Sequence, residues 1–386
     1  MAEVFGAALR LGLTSFGGPV AHIGYFRAEY VERRRWLDEQ AFSELVAVTS
    51  LLPGPSSSQL GIAIGARHAG RLGGLAAWLG FTLPSAVAMT LLALTVGAAD
   101  VSGPGWVHGL ELVAVPVVFL AVLAMRRSLA PDLGRLVLAA AAAALVLAVG
   151  GFAGQAAALV LGAAVGLVAF RAAHAVARGA DRSSGRGRVI SVLCVVALVA
   201  LLVGLPVVSE RTGRHDVQLA EAMTRSGALV FGGGHVVLPL LHEAVVAPHW
   251  IGEQEFLAGY GLAQAMPGPL FTFSAYLGAI EDPEPNGVPG AALALAAIFL
   301  PSFLLLGGVL PVWSFARHHT TVRAALTGVS AAVVGLLAAA LWDPVVTTSI
   351  EGVGDALFAV ALLGLLRVLP VWAVVPLAAA AAELAF

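Results

Sequence analysis

The stretch FGGPVAH, residues 16–22, interrupts an apolar run with two glycines and a proline, and PGPSSSQ, residues 53–59, interrupts a second one. Both return later in the chain as FGGGH, residues 231–235, and PGPLFTF, residues 267–273. Their separations are nearly constant: 231 minus 16 is 215, 267 minus 53 is 214, and for the paired Trp36 and Trp250 the difference is again 214. What recurs is a glycine–proline break inside apolar sequence, so the duplicated unit is a broken membrane helix. Interrupted segments at matching positions of two halves point to a transporter with its substrate site near the middle of the bilayer.

Composition agrees. Apolar residues make up 59% of the 386, charged residues 11%, and the mean hydropathy is +0.92, which excludes a soluble globule around one core. Apolar runs of about 20 residues, enough to cross roughly 30 Å of hydrocarbon, recur along the chain. The first residues lack the charged start and cleavage site of a removable signal, so insertion is expected to use internal segments. Cys194 is the one cysteine and sits in an apolar run. Neither His318-His319 nor His235 with His242 has a metal-ligand spacing, so no metal and no cofactor are expected. The expected surroundings are lipid, with no nucleic acid partner; a homodimer is compatible with such a chain.

Residues 5–26 break at Gly17-Gly18-Pro19 into two pieces, each too short to cross alone. Gln40–Arg67 repeats the design around Pro53-Gly54-Pro55. Arg27 and Arg33-Arg34-Arg35 precede this second segment, and Arg67 and Arg71 follow it. Two cytoplasmic flanks would make it a re-entrant hairpin with the prolines at its tip; a single 28-residue broken crossing is the alternative. Further crossings are expected at 72–97, 107–125, 136–149 and 154–170, then an arginine-rich cytoplasmic loop at 171–188, and one extra crossing at 189–207. In the second half Glu243, Glu253 and Glu255 stand where the first has its arginine triplet, and Glu281-Asp282-Pro283-Glu284 where it has Arg67–Arg71. Opposite charge on matching loops is what an inverted repeat requires. The expected fold is therefore an all-α polytopic membrane protein of two inverted-topology repeats. Residues 1–171 form the first repeat, 172–208 the linker loop and connecting helix, and 209–386 the second repeat.

The tips carry the chemistry. Helices that begin after Pro53-Gly54 and Pro267-Gly268 have Pro55 and Pro269 near the first turn, where the missing N–H costs nothing. Their N-termini, aimed into the membrane, offer bare N–H groups and a positive dipole end, which suits an anion. Ser56, Ser57, Ser58 and Gln59 add donors in the first half, and Thr272 and Ser274 in the second. Gly17, Gly18, Gly232 and Gly233 permit close backbone approach, with Pro19 beside the first pair. A packing kink is the structural alternative for any one break, and four matched breaks favour function. Arg10 and Arg225 each stand six residues before their FGG in apolar sequence. A guanidinium at such depth is a candidate anion ligand. Glu221 can pair with Arg225 four residues on, whereas Gly6 leaves Arg10 no such partner. His22 and His235 lie just beyond the breaks and could meet an oxyanion or cap a helix end. Pro84 and Pro301 correspond in the long helix after each hairpin and read as breaks or hinges.

LGLTSFGGPVAHIGYF, RRRWLDEQAF and LLPGP in the first half, with FGGGHVVLPLL and AMPGPLFTF in the second, resemble the chromate ion transporter family in its long, two-half form. The resemblance implies a multi-pass protein of the bacterial inner membrane that expels chromate, a tetrahedral dianion like sulfate. In that pattern a glutamine often precedes PGP by three residues; here the positions are Ser50 and Gln264, so the resemblance supports a substrate role at Gln264. An inside-negative potential is worth about 2.3 kcal/mol per charge per 100 mV, so a dianion gains about 4.6 kcal/mol on leaving. Uptake would need coupled cations, and the carboxylates in apolar segments are Glu44, Glu111 and Glu221. Export by alternating access is the economical reading, and a sulfate or other oxyanion importer of the same fold is the alternative. A membrane-embedded reductase or transferase lacks support, with one cysteine and no dinucleotide fingerprint.

Overall fold

The computed structural model describes residues 1–16, 18–98, 105–170, 185–230, 236–312 and 320–385. Gly17, Gly232, Gly233, His235 and most of the loop between the halves lie outside them. Among the described residues the chain is helical, with no strand. This follows from its solvent: in hydrocarbon a backbone N–H finds no water, and a helix satisfies each one within the segment.

The first half begins with α1 (Ala2–Thr14) and α2 (Gly18–Phe26), which are separated by the break at 15–17. It continues through α3 (Glu39–Leu51), α4 (Ser56–Ala98), α5 (Gly105–Leu129), α6 (Leu133–Val149) and α7 (Gly151–Ala169). α8 (Gly185–Thr212) connects to α9 (His215–Leu229), α10 (Val237–Val245), α11 (Glu253–Ala265), α12 (Phe273–Ile280) and α13 (Gly287–Val309). The chain closes with α14 (Thr320–Ala340), α15 (Val353–Leu365) and α16 (Val371–Ala385). By length and composition Ser56–Thr95, Gly105–Leu129, Gly187–Thr212, Gly287–Val309 and Arg323–Ser349 can cross a membrane, and five shorter apolar helices accompany them.

Both interrupted segments double back. α3 ends at Leu51, and α4 reverses again at Ala69-Gly70, where φ/ψ leave the helical region. The ring of Trp36 before α3 stacks on that of His68, with centroids 4.0 Å apart, so the two ends of the first hairpin meet. In the second half the Asp282 N–H donates to the Trp250 carbonyl at 3.1 Å, and the Tyr276 hydroxyl reaches the Glu255 carbonyl at 3.1 Å. Each hairpin then lies on the following long helix through paired glycines, Gly65 on Gly73 and Gly278 on Gly290, with Ala77 and Ala294 one turn further along. Without side chains the two backbones approach closely, the usual means of helix association in lipid.

Position 84 and position 301 differ from expectation. Pro84 and Pro301 sit inside α4 and α13, and the non-helical dihedrals in α4 fall at Ala69-Gly70 instead. A proline leaves the carbonyl four residues earlier without its helical donor. At Pro301 that carbonyl belongs to Ala297 and accepts the Thr224 hydroxyl of α9 at 3.4 Å, so neighbouring contacts keep the helix running. Two arginines of the triplet also pack: Arg33 and Arg34 bond Glu29 at 2.8 and 2.6 Å, and Arg34 reaches Glu3 at 3.0 Å.

The two hairpins have unequal surroundings. Phe256, Leu257, Tyr260, Phe273 and Tyr276 of the second are fully buried, whereas Gln40, Ser43 and Glu44 on the first are exposed. The first arm of the first hairpin is thus partly exposed, while its second arm, residues 57–65, is as buried as the second hairpin.

Candidate functional site

Each tip is tied to the break of the other half. The Gly54 N–H donates to the Val230 carbonyl at 2.6 Å, and the Gly268 N–H donates to the Ser15 carbonyl at 2.9 Å. Ser15 directly precedes FGGPVAH and Val230 directly precedes FGGGH, so these are equivalent bonds crossing between halves. The serines after Pro84 and Pro301 complete them. Ser302 lies beside Gly54 and takes a hydrogen bond from Gln59 Nε2 at 3.3 Å, while Ser85 lies beside Gly268. Both tip glycines have left-handed backbone, φ +110 at Gly54 and +93 at Gly268. A turn that offers its N–H to a partner and packs against a serine leaves no room for a side chain.

At the second tip a cavity of about 320 Å³ opens. Gly18 at the start of α2 lines it, together with Gln264, Met266 and Gly268 of the second tip and Leu270 at the start of the helical segment that becomes α12. Val117, Leu120, Ala121 and Ala124 of α5, with Leu366, Leu369, Pro370 and Val371 from the end of α15 to the start of α16, form the apolar walls. Two helix N-termini therefore face one space: α2 from Gly18, where Pro19 has no N–H to offer, and the segment from Leu270, where the Thr272 N–H already bonds the Pro269 carbonyl at 3.0 Å. The other first-turn N–H groups have no acceptor within their own helix. Gln264 Nε2 is buried without a hydrogen-bond partner. Nearby, Ser15 Oγ and His22 Nδ1 are also unpartnered, and His22 Nε2 meets the Ser15 carbonyl at 3.2 Å. Leaving such groups unsatisfied costs about 1–3 kcal/mol each. His22 Nδ1 is an acceptor while Nε2 donates to Ser15, so the free donors are the Gln264 amide and the Ser15 hydroxyl, which suit a ligand that accepts hydrogen bonds.

Gly18, Gln264 and Gly268 are thus brought together, with His22 behind them. The other candidates lie elsewhere. Ser56, Ser57, Ser58 and Gln59 stand at the first tip, where Gln59 Nε2 is committed to the Pro53 carbonyl at 2.6 Å and to Ser302. Pro53, Gly54 and Pro55 shape that turn, and Pro267 and Pro269 its counterpart. The Thr272 hydroxyl is turned back to the Pro269 carbonyl at 2.8 Å. Arg10 is exposed on α1, and Arg225 pairs with Glu221 at 3.4 Å. Sequence reasoning missed the walls: nothing in the runs of α5 or at 366–371 marks them as facing a cavity, because apolar residues also face lipid.

The profile of the family described as "Chromate transporter" matches residues 2–168 and 217–384, two stretches of nearly equal length. The "Chromate transport protein" of Pseudomonas aeruginosa is 29% identical over 348 residues, covering 88% of this chain and 80% of that one. The "Probable chromate transport protein" of Synechococcus elongatus is 28% identical over 86% of this chain and 81% of its own. The "Chromate transport protein" of Cupriavidus metallidurans is 28% identical over 86% and 80%. No solved structure matches the chain.

Proposed function

The chain belongs to the chromate transporter family and is a multi-pass membrane transporter rather than an enzyme; from that premise we propose that it exports chromate from a bacterial cytoplasm by alternating access, binding the dianion in the cavity at the second tip. One observation carries the assignment: the start of α2 at Gly18 and the tip Gln264–Gly268 before α12 line the same space. Their positive dipole ends and the unpartnered Gln264 amide suit a tetrahedral oxyanion. The two halves would be inverted repeats moving about this site, with the tip-to-break bonds exchanged or strained as access alternates. An outward potential gain of about 4.6 kcal/mol per 100 mV for a dianion favours export.

Everted vesicles test this reading. Labelled chromate should accumulate in them when an interior-positive potential is imposed, and Gln264→Leu should cut the rate at least about tenfold, the loss of one hydrogen bond to a charged group. Full transport by Gln264→Leu would remove the cavity from the reading. Sulfate uptake into right-side-out vesicles that requires a proton gradient, with no chromate accumulation in everted ones, would replace export by import.

A further inference from the structure

A second polar group lies across the same helices, outside the cavity. Glu111 on α5 is 2% exposed, and the imidazole of His108 reaches it, with Nδ1 3.6 Å from its Oε2. The other face of that imidazole meets Asp355, Nε2 to Oδ1 at 3.1 Å. Asp355 is itself buried and accepts the N–H groups of Glu351 and Gly352 at 2.9 and 3.0 Å through Oδ2. Two buried carboxylates thus share one imidazole, and ionising all of them leaves an uncompensated negative charge in a place that solvates charge poorly.

The elements around this end of α5 add no relief. Among their described residues the charged groups are Glu253 and Glu255 on α11, Asp343 after α14, Asp355 on α15 and Glu383 on α16; the arginine of α14, Arg323, sits on its first turn at the other end. The charges of Glu351 and Glu253 act on Glu111. Glu253 has its own histidine, His242, at 2.8 Å, and Glu383 takes the Trp106 N–H at 2.9 Å.

Three helices link this group to the cavity. α5 carries Glu111 near one end and Val117, Leu120, Ala121 and Ala124 further along; α11 carries Glu253 at its start and Gln264 at its end; α15 begins with Asp355 and runs out into Leu366 and Leu369. α5 and α11 touch where Gly261 lies on the Leu110 carbonyl. At 1.5 Å per residue Glu111 is about 9–20 Å from the lining of α5.

We propose that Glu111, His108 and Asp355 form a buried proton-binding site whose occupancy sets how tightly the oxyanion is held in the cavity. One charge added or removed at that distance from a dianion, across a medium poorer in water than bulk solvent, changes affinity roughly tenfold or more. Linkage makes the effect reciprocal: protonation tightens oxyanion binding, and oxyanion binding takes up a proton. The coupling rests on the reading of the cavity as the oxyanion site; the proton site stands on its own geometry.

Calorimetric titration of the purified protein with chromate, from acid to alkaline pH and in buffers of different ionisation enthalpy, tests the coupling. The wild type should bind chromate with uptake of a proton, and Glu111→Gln should bind about tenfold more tightly than wild type at alkaline pH with that uptake lost. Chromate's own protonation is common to both proteins, so the difference between their profiles isolates Glu111. In infrared difference spectra without any oxyanion, the wild type should show a carboxylic-acid C=O band that titrates and is missing in Glu111→Gln. Identical binding profiles in the two proteins would overturn the coupling, and a wild-type spectrum without the band would overturn the proton site. Failure of both proteins to bind chromate at any pH, with the band present, would overturn the cavity reading and the coupling together and leave the proton site standing.

Discussion

At Gly54 a β-carbon would lie 2.6 Å from Gln59 Nε2 and 2.7 Å from Ser302 Oγ, and at Gly268 it would lie 2.8 Å from Ser85 Oγ, both on backbone of positive φ. Alanine at either position combines a backbone strain of about 1–3 kcal/mol with displacement of the serine. Gly54→Ala and Gly268→Ala should each lower the thermal midpoint in detergent by several degrees and slow transport; midpoints within a degree of wild type would mean the tips repack freely. Gly18→Ala makes the contrast, because nothing lies within 4 Å of its β-carbon position and only the strain of φ +75 remains, about 1 kcal/mol. The constant spacing of the breaks made Gly54 and Gly268 legible in the sequence. That each bonds the other half was not legible, since an offset of 214 says which residues are equivalent and nothing about which ones touch. Arg10 shows a second limit. Depth in an apolar run marked it, but direction around the helix decides whether it faces a site. Gly12 is the residue that packs on Phe81 of α4, and Arg10, two positions and about 200° away, points outward.

Helix pairs in this fold depend on bare backbone at their crossings. A β-carbon on Gly290 would run into the Gly278 carbonyl and the Pro285 carbonyl, and neither can rotate away. Gly290→Leu should therefore destabilise the second hairpin by about 3 kcal/mol or more through overpacking, read as loss of folded protein by size exclusion. Gly204→Leu, on α8 where nothing lies within 4 Å, should leave the elution profile unchanged. The turn between α12 and α13 holds a different signal. Glu281 is buried against His215, with Oε2 and Nε2 3.0 Å apart, and burial pushes its carboxyl up to about 8 while lowering the His215 imidazole. A carboxyl with a raised folded pKa stabilises the fold in its neutral form. That contribution is complete below the ordinary value of 4.5 and is lost as pH climbs through about 8. Thermal midpoints should fall across this window, by the equivalent of up to about 5 kcal/mol from Glu281, partly offset by His215, whose lowered imidazole adds stability as pH rises, and Glu281→Gln should flatten the decline. A wild-type midpoint independent of pH over the same range would mean that Glu281 is already solvated. Sequence reading placed Glu281 in an acidic loop through its charge pattern. Its burial depends on how the two hairpin ends close on Trp250, which a local pattern does not encode.

The halves hold each other through their most constrained residues. The Gly54–Val230 and Gly268–Ser15 bonds, Gln59 on Ser302 and the packing of α12 and α13 on α4 all cross between residues 1–170 and 209–386. A tip without its partner half would bury an unpaired N–H and face lipid with serine and glycine, at about 1–3 kcal/mol for each lost partner. Neither half is therefore expected to be stable alone, although each matches the family. The link between them is short on apolar residues and rich in arginine, serine and glycine, and none of these inter-half bonds involves it. Cutting the gene within 171–184 and co-expressing the two pieces should thus give a complex that copurifies and transports chromate. Either piece expressed alone should be degraded or aggregate. Gly268→Leu in the second piece should weaken the copurification, because a side chain there runs into Ser85 and the Phe81 and Gly12 carbonyls of the first piece and pushes the tip off Ser15 without touching the cut. Two pieces that each purify as folded monomers, or copurification indifferent to Gly268→Leu, would show that the tips are not what joins the halves.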